Sequence, residues 1–184
     1  MINDPIVVEA LTSTPEECRA DLQHLYVTWL TINDLFFGDA LTIPTIELAD
    51  LPFRLYGDYD RIGDHSSHIR INRRLVVGTH PDVIPGRRHA AGRLRLAEDI
   101  LLHETVHAWQ DRIIGVREPS WHGHGPIFRD RSNAIGEVLG LAPVRSNRDR
   151  GRYASRPICS GWPMVARPPG FYAAAPQTAR FRSV

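Results

Sequence analysis

The spacing of apolar residues predicts one long helix near the start of the chain. Thr14-Pro15-Glu16-Glu17 combines a capping threonine, proline at the first helical position and glutamate three residues after the cap, which together indicate a helix start. Apolar side chains then recur at helical spacing and form one stripe, at Leu22, Leu25, Tyr26, Trp29, Ile32 and Phe36. Gly38 marks the end of this helix.

The pattern changes after the first helix to a shorter period. Apolar and polar residues alternate over 45–48, 53–56 and 68–72, and prolines and glycines separate these segments. Such alternation is typical of strands with one buried face. We therefore predict a small three-stranded antiparallel sheet.

Two more helices follow the predicted sheet. The first covers about 90–114 and ends before Gly115, and its main apolar stripe is Leu102, Val106, Trp109 and Ile113. The second opens at Pro126, ends at Gly140 and has a core face of Phe128, Ile135, Val138 and Leu139. The order of elements predicts an α+β fold: an N-terminal helix, a small sheet and two helices.

The chain divides by charge at about residue 144. Residues 1–144 hold 14 arginines and 20 acids (14 − 20 = −6), whereas residues 145–184 hold 8 arginines and one acid (8 − 1 = +7). The last forty residues are also rich in proline and glycine, so we expect poor order there. We interpret 1–13 as an N-terminal extension, 14–144 as the folded domain and 145–184 as a basic tail.

The overall composition is that of an ordinary soluble protein. The 184 residues are 42% hydrophobic and 23% charged, without a long apolar run or a leader pattern at the start. We expect a cytoplasmic protein that does not contact membranes. Cys18 and Cys159 are far apart and form no C-x-x-C pair, so a disulfide framework or a cysteine zinc ribbon is not expected. A metal would have to be bound by histidine and carboxylate.

One pentapeptide in the third predicted helix carries candidate chemistry. His103 and His107 are four residues apart, so on a helix both imidazoles lie on one face and can reach one cation. Glu104 lies about 100° around the helix from His103, where it can take a proton from a metal-bound water. H-E-x-x-H is the arrangement of zinc peptidases, although a pattern this short also arises by chance.

A catalytic zinc site needs three protein ligands and one open position. The metzincin spacing is excluded, because Gln110 and Ile113 occupy the positions at which that class has glycine and histidine. The remaining candidates for the third ligand are Glu118, Glu137, His122 and His124. Glycines on both sides of His124 give it a permissive backbone at a helix entrance. From the residues alone, His122 and His124 stay open.

The chain resembles the SprT-like (Spartan-type) zinc metallopeptidases in four blocks. They are Asn33-Asp34-Leu35-Phe36-Phe37, Ile69-Arg70-Ile71-Asn72, Leu101-Leu102-His103-Glu104-Thr105-Val106-His107-Ala108 and Gly123-His124-Gly125-Pro126-Ile127-Phe128. The last block is similar to the G-H-G-P-x-F of that family, whose histidine is the third zinc ligand. The blocks appear in the family's order and span roughly residues 15–144.

The resemblance implies a zincin-like minimal metalloprotease core. His103, His107 and His124 would then bind one Zn²⁺, which lowers the pKa of its water, and Glu104 would be the catalytic base that acts on protein or peptide substrates. The four-cysteine zinc ribbon that many members carry is absent, and only Cys159 could be its remnant. A second zinc is therefore not expected.

Two aspartates on the motif helix are candidates for orienting the histidines. Asp99 and Asp111 lie one turn before His103 and one turn after His107, but the interpretation that we favour for both is a solvated helix face. A metal-bound scaffold without hydrolysis is disfavoured, because a purely structural site does not require Glu104.

The basic tail suggests a nucleic-acid partner. Five arginines are candidates for phosphate contacts, namely Arg145, Arg148, Arg150, Arg152 and Arg156. The SprT-like resemblance adds to this, because that family is associated with DNA-bound and DNA-crosslinked proteins. A tail that only aids solubility explains the arginines equally well. The alternative function is a DNA-associated metal-binding accessory protein with little or no proteolytic activity.

Overall fold

The computed structural model describes residues 3–64, 66–83, 93–149 and 155–163. Within them the chain forms five α-helices and three strands. Their bounds are α1 Pro5–Ser13, α2 Glu16–Phe37, β1 Thr45–Ala49, β2 Gly57–Ile62, β3 Ser66–Asn72, α3 Arg73–Val77, α4 Arg93–Trp109 and α5 Pro126–Val138. Short 3₁₀ turns cover Pro81–Val83, Pro119–Trp121 and Cys159–Gly161. The predicted α+β layout is confirmed.

The predicted long helix is α2, and its apolar stripe is the centre of the core. All six stripe residues are at most 1% exposed. Gly38 ends the helix in the left-handed conformation, with a φ of 59°. Thr14 does not cap α2, because its hydroxyl donates to the carbonyl of Ala10 in α1 at 2.8 Å.

The stretch that we interpreted as an N-terminal extension is helical. Asp4 caps α1, since its carboxylate accepts the amide of Ile6 at 2.9 Å. Val7 and Ala10 are buried in the core beside β1. A helix of nine residues is too short for its apolar residues to repeat clearly at helical spacing, so the sequence pattern did not reveal it.

The sheet is mixed and has the strand order β1-β3-β2. Strand β3 pairs antiparallel with β2 but parallel with β1, so the prediction of a wholly antiparallel sheet was wrong for that pair. Alternation identifies a buried face and carries no information about which strands are neighbours.

The predicted strand over 53–56 is a turn, and β2 begins directly after it at Gly57. The amide of Leu55 donates to the carbonyl of Pro52 at 2.9 Å, and the Asn72 side-chain amide donates to the carbonyls of Leu51, Pro52 and Leu55. Because Phe53 and Leu55 are 54% and 38% exposed, their alternation does not mark a buried face.

Gly57 brings the edge strand β2 close to α4. A Cβ atom there would lie 2.4 Å from Cγ2 of Ile100 and 2.8 Å from the carbonyl oxygen of Arg70. Only glycine fits between the strand and the helix without displacing one of them. The same approach puts Glu104 against the start of β2, with its Cγ 3.6 Å from that Cβ position.

Helix α4 is the central buried helix of the described chain, as its sequence predicts. Leu102 and Val106 are 0% exposed, whereas Ile113, which we placed on the same stripe, is 47% exposed. After Trp109 the helix widens into a π-helical turn, Gln110–Ile114, before Gly115. The wider turn rotates Ile113 away from the core. Residues 90–92 of the predicted helix lie outside the described residues.

Part of the predicted tail belongs to the folded unit. The backbone of Arg145 pairs with residues 157–159. Its amide donates to the carbonyl of Pro157 at 2.9 Å, and its carbonyl accepts from the amide of Cys159 at 2.8 Å. Cys159 and Trp162 are 0% and 4% exposed. We refer to residues 155–163 as the C-terminal strap. The expectation of poor order does not hold for the strap, while 150–154 and 164–184 lie outside the described residues.

In the part of the chain that the structure describes, no α-helix combines the length and the apolar character needed to cross a lipid bilayer.

A histidine–glutamate pair joins α2 to α4. Nε2 of His24 lies 2.6 Å from a carboxylate oxygen of Glu98, whose side chain is only 4% exposed. This hydrogen bond raises the pKa of His24 above its ordinary value of 6.5, against the opposing effect of burial. The pair therefore stabilises the fold fully below about pH 6.5, and its contribution is lost as the pH rises through the higher pKa of the folded state.

We expect His24→Gln to destabilise the protein most below pH 6.5 and progressively less at alkaline pH. Urea unfolding of both proteins across that range measures the difference in free energy of unfolding. Glu98→Gln removes the same charge pair and should give the same pH dependence. A difference that does not change with pH would contradict the charged pair.

Candidate metal centre

Three histidine side chains converge beside α4. His103 and His107 lie one turn apart on that helix, and His124 comes from the loop that precedes α5. Nε2 of His124 lies 2.9 Å from Nε2 of His103 and 3.2 Å from Nε2 of His107. The three residues form a group whose ligand atoms all lie within 4.8 Å of one another, so the cluster can hold a metal ion.

The other ring nitrogen of each histidine has an acceptor. Nδ1 of His103 donates to the carbonyl of Trp162 in the C-terminal strap at 2.6 Å. His107 hydrogen bonds to the side chain of Gln110, and His124 hydrogen bonds to the backbone of His122. A carbonyl oxygen only accepts, so Nδ1 carries the proton in His103. The backbone contact of His124 favours the same tautomer. The Gln110 contact favours the same tautomer in His107.

The tautomers leave three unprotonated Nε2 atoms that face one another. Nε2 of His124 lies 2.9 Å from one of the other two and 3.2 Å from the second, so a cation that accepts the lone pairs of all three rings fits among them. Tetrahedral zinc with bonds of about 2.0–2.1 Å requires nitrogens about 3.3 Å apart. Both distances from His124 are close to this value, so the cluster can hold a metal ion that takes imidazole ligands.

The local environment keeps the three imidazoles neutral. Burial, together with neighbouring histidines, lowers the pKa of His103 to about 4 and that of His107 well below its ordinary value. Burial is also the largest cause of the lowered pKa of His124. Neutral imidazole is the form that ligates metals, so near pH 7 protons do not compete for the site.

One aromatic ring holds the histidines in place. Phe128, in the first turn of α5, is 0% exposed and lies with its ring centroid 4.5–4.9 Å from the centroids of all three imidazoles. Packing on one rigid side chain restricts the rotamers of the ligands. Phe128, a core residue four positions after His124, therefore also shapes the histidine cluster.

Glu104 lies beside the cluster as a buried carboxyl group. It is 6% exposed, and burial together with the negative charge of Asp58 raises its pKa to about 8. Both effects disfavour the carboxylate, whereas a cation held by the histidines would favour it.

The cluster opens into a groove of about 570 Å³. Glu104 and the three histidines line it, as do the edge strand β2 from Gly57 to Arg61 and Ser160 of the strap. Across the groove, Asp111 accepts hydrogen bonds from Tyr59 at 2.9 Å and from Arg117 at 2.7 Å. These bonds fix the π-helical turn against β2.

The structure separates the candidates for the third ligand. His124 belongs to the cluster, whereas His122 is exposed and does not. Glu118 accepts backbone amides at the start of α5, and Glu137 is exposed on the same helix. Among the described residues, neither glutamate joins a group that can hold a metal.

The acceptors that orient the imidazoles are different from those predicted. Asp111 bonds to Tyr59 and Arg117, and Asp99 is buried at 2% exposure, so the expectation of a solvated face is wrong for both. The acceptor for His103 is the backbone carbonyl of Trp162, 59 residues along the chain. A backbone group has no residue type, so no sequence signal could identify it.

Comparisons of the chain with protein-family models, with curated proteins and with solved structures gave no match. The site is therefore characterised by its own geometry: three inward-facing neutral imidazoles, a buried carboxyl group and a groove.

Adding zinc should stabilise the folded protein, because the histidines converge only in the folded state. Zinc at about 100 times its Kd is expected to raise the free energy of unfolding by about 2.7 kcal/mol. Thermal and urea unfolding with zinc or with a chelator measure this increment.

His124→Ala should remove most of that increment. His122→Asn is the matched control, because His122 is exposed, has a φ of 51° and lies outside the cluster. Asparagine tolerates this left-handed backbone. Equal zinc stabilisation of His124→Ala and the wild type would contradict the assigned ligand.

Proposed function

We propose that this protein is a zinc-dependent endopeptidase. The observation that carries the proposal is the convergence of three histidine Nε2 atoms next to the buried carboxyl group of Glu104, at the wall of a groove. Three histidine ligands with an adjacent general base are the constellation of metal-assisted hydrolysis.

Zinc is the metal that best suits this donor set. Imidazole is a borderline ligand that zinc binds well, and three of them leave one position of a tetrahedral ion for water or substrate. Magnesium and calcium prefer oxygen ligands, which the cluster does not supply. When bound, zinc supplies Lewis-acid chemistry by polarising the scissile carbonyl and lowering the pKa of a water.

Glu104 is the proposed proton carrier of the reaction. Its carboxylate accepts a proton from the attacking water and then donates that proton to the amine that leaves. Both transfers require a group whose pKa lies near the working pH. Burial and the Asp58 charge raise the pKa of Glu104, whereas a bound cation would lower it, so the two effects oppose each other.

The groove favours an extended polypeptide as substrate. In the described chain β2 pairs only with β3, so its other edge offers backbone groups along the wall of the groove. A substrate segment that adds to this edge would bind mainly through its main chain, with little selection among side chains. This supports cleavage of flexible protein segments.

The SprT-like resemblance supports the same reaction class. Its four blocks correspond to the end of α2, to β3, to the ligand half of α4 and to the start of α5. These are the elements that form or support the three-histidine cluster. The resemblance and the geometry thus assign the same residues to the proposed site.

Glu104→Gln tests the proposed role directly. We expect zinc affinity to stay within a few-fold of wild type and peptide hydrolysis to fall by about 10²–10⁴, because the amide cannot accept the water proton. The assay is cleavage of an unstructured protein, with metal content measured on the same samples. Glu137→Gln, an exposed glutamate on α5, is the matched control.

Activity of Glu104→Gln at the wild-type level would exclude this glutamate as the base. Zinc binding without any hydrolysis by the wild type would instead favour the alternative, a metal-binding accessory protein.

We further propose that the substrates are proteins bound or crosslinked to DNA. Arg148 is exposed with its guanidinium 5.4 Å from the ring of Trp121, and Arg156 is exposed on the strap. Arg145 instead bonds to backbone carbonyls, including those of Ser146 and Asp149, so it holds the fold together. Arg150 and Arg152 lie outside the described residues.

DNA contact by this surface is tested with Arg148→Gln combined with Arg156→Gln. Loss of two phosphate contacts should weaken DNA binding and reduce the slope of log affinity against log salt by about two. Arg19→Gln, an exposed arginine of α2, is the control. Deleting residues 145–184 is unsuitable, because it also removes the Trp162 carbonyl from His103. An unchanged salt slope would leave the arginines as solubilising charges.

A further inference from the structure

The loop between α4 and α5 contains an unusual backbone conformation at Glu118. This residue has a φ of 46°, in the left-handed region that non-glycine residues rarely adopt. Such a conformation costs free energy and persists only where the surrounding contacts stabilise it. The contacts of the Glu118 side chain are therefore informative.

The carboxylate of Glu118 accepts four N–H groups. Three are backbone amides at the start of α5, from Gly125 at 3.0 Å, Ile127 at 2.9 Å and Phe128 at 3.3 Å. The fourth is the side-chain amide of Gln110, which donates at 2.7 Å. Glu118 thus caps α5 from outside the helix and holds the residue that directly follows His124.

Gln110 continues the connection to the other helix. It is 2% exposed in the π-helical turn after α4, and its side chain also hydrogen bonds to the imidazole of His107. Because this contact acts to raise the pKa of His107, the Gln110 oxygen is the group that accepts from the imidazole, while its amide nitrogen donates to Glu118. One hydrogen-bonded chain therefore runs from His107 through Gln110 and Glu118 to the backbone beside His124.

The glycines next to His124 fit this connection. A Cβ on Gly125 would lie 2.5 Å from the Glu118 carboxyl group, and one on Gly123 would lie 3.1 Å from Cε1 of His107. Gly123 also has a φ of 78°. The Gly-His-Gly sequence is thus required by the close approach of the loop to Glu118 and His107.

We infer that Gln110 and Glu118 are positioning residues that fix His107 and His124 at the separation needed to bind one metal ion. Neither residue belongs to the three-histidine cluster, and both act through two of its members. The inference rests on the metal site of the proposed function but not on its peptidase chemistry.

The test measures zinc affinity of the full-length chain by competition with a chromogenic chelator, for Glu118→Gln, His124→Ala and the double variant. In Glu118→Gln the side-chain NH₂ group would face backbone N–H groups that now donate to a carboxylate oxygen. Some of these hydrogen bonds would be lost, and the backbone beside His124 would no longer be fixed. Zinc affinity should fall about 10–100-fold in Glu118→Gln. In the His124→Ala background the same substitution should change zinc affinity less than about threefold, because the ligand through which it acts is gone.

Gln110→Met is the second arm, and it keeps the α5 cap intact in case Glu118→Gln does not fold. Its loss of zinc affinity should likewise disappear in the His107→Ala background. The visible spectrum of the Co²⁺-loaded variants should change with Gln110→Met and Glu118→Gln, since ligand geometry changes. Glu137→Gln, on the same helix as the cap but exposed, should match the wild type in both measurements.

Unchanged zinc affinity in both variants, or equal losses with and without the partner histidine, would overturn the positioning role. Absence of zinc binding by the wild type is a different outcome, which overturns the metal site itself. Zinc binding that depends on Glu118 without any peptide hydrolysis supports the positioning role and contradicts only the peptidase proposal.

Discussion

Repulsion among three neutral imidazoles is the constraint on which this site depends. Nε2 of His124 lies 2.9 Å from Nε2 of His103 and 3.2 Å from Nε2 of His107, in surroundings that lower the pKa of each ring. The rings are neutral at pH 7 and turned toward one another. The protein fixes each ring from the opposite side, through acceptors for Nδ1 and through the packing of Phe128. The fold thus maintains a group of lone pairs that a cation satisfies.

The supports of the cluster come from all parts of the fold. Helix α4 supplies two ligands and the carboxyl group, the loop before α5 supplies the third ligand, and the strap supplies the acceptor for His103. Strand β2 closes the groove because Gly57 allows it to lie against α4. A change in any of these contacts moves a ligand or its neighbour, so the packing of the domain and the geometry of the site cannot be separated.

Periodicity and local motifs predicted the elements that are long or chemically distinctive. The stripe of α2 and the paired histidines of α4 follow directly from helical geometry, and both are where the pattern puts them. The π-helical turn was not predictable, because its sequence continues the apolar spacing of α4 through Ile113. The choice of His124 over His122 came from the family resemblance, and the structure brings only His124 to the other two.

The features that sequence reasoning missed involve backbone groups or long separations. The parallel pairing of β1 with β3 depends on strand order, which alternation does not encode. The strap was expected to be poorly ordered because arginine, proline and glycine dominate its surroundings, yet two buried side chains, Cys159 and Trp162, anchor it to the core. Composition averages over a segment, whereas burial is decided by a few side chains.

The contact between Trp162 and His103 also sets an order of events during synthesis. A chain is made from its N-terminus, and the acceptor lies 59 residues after the histidine that it orients. The helix with His103, Glu104 and His107 has therefore left the ribosome well before the strap follows. Until then the ring of His103 has no carbonyl to fix its tautomer. The nascent domain therefore presents the three histidines before the hydrogen bond that orients the first of them can form.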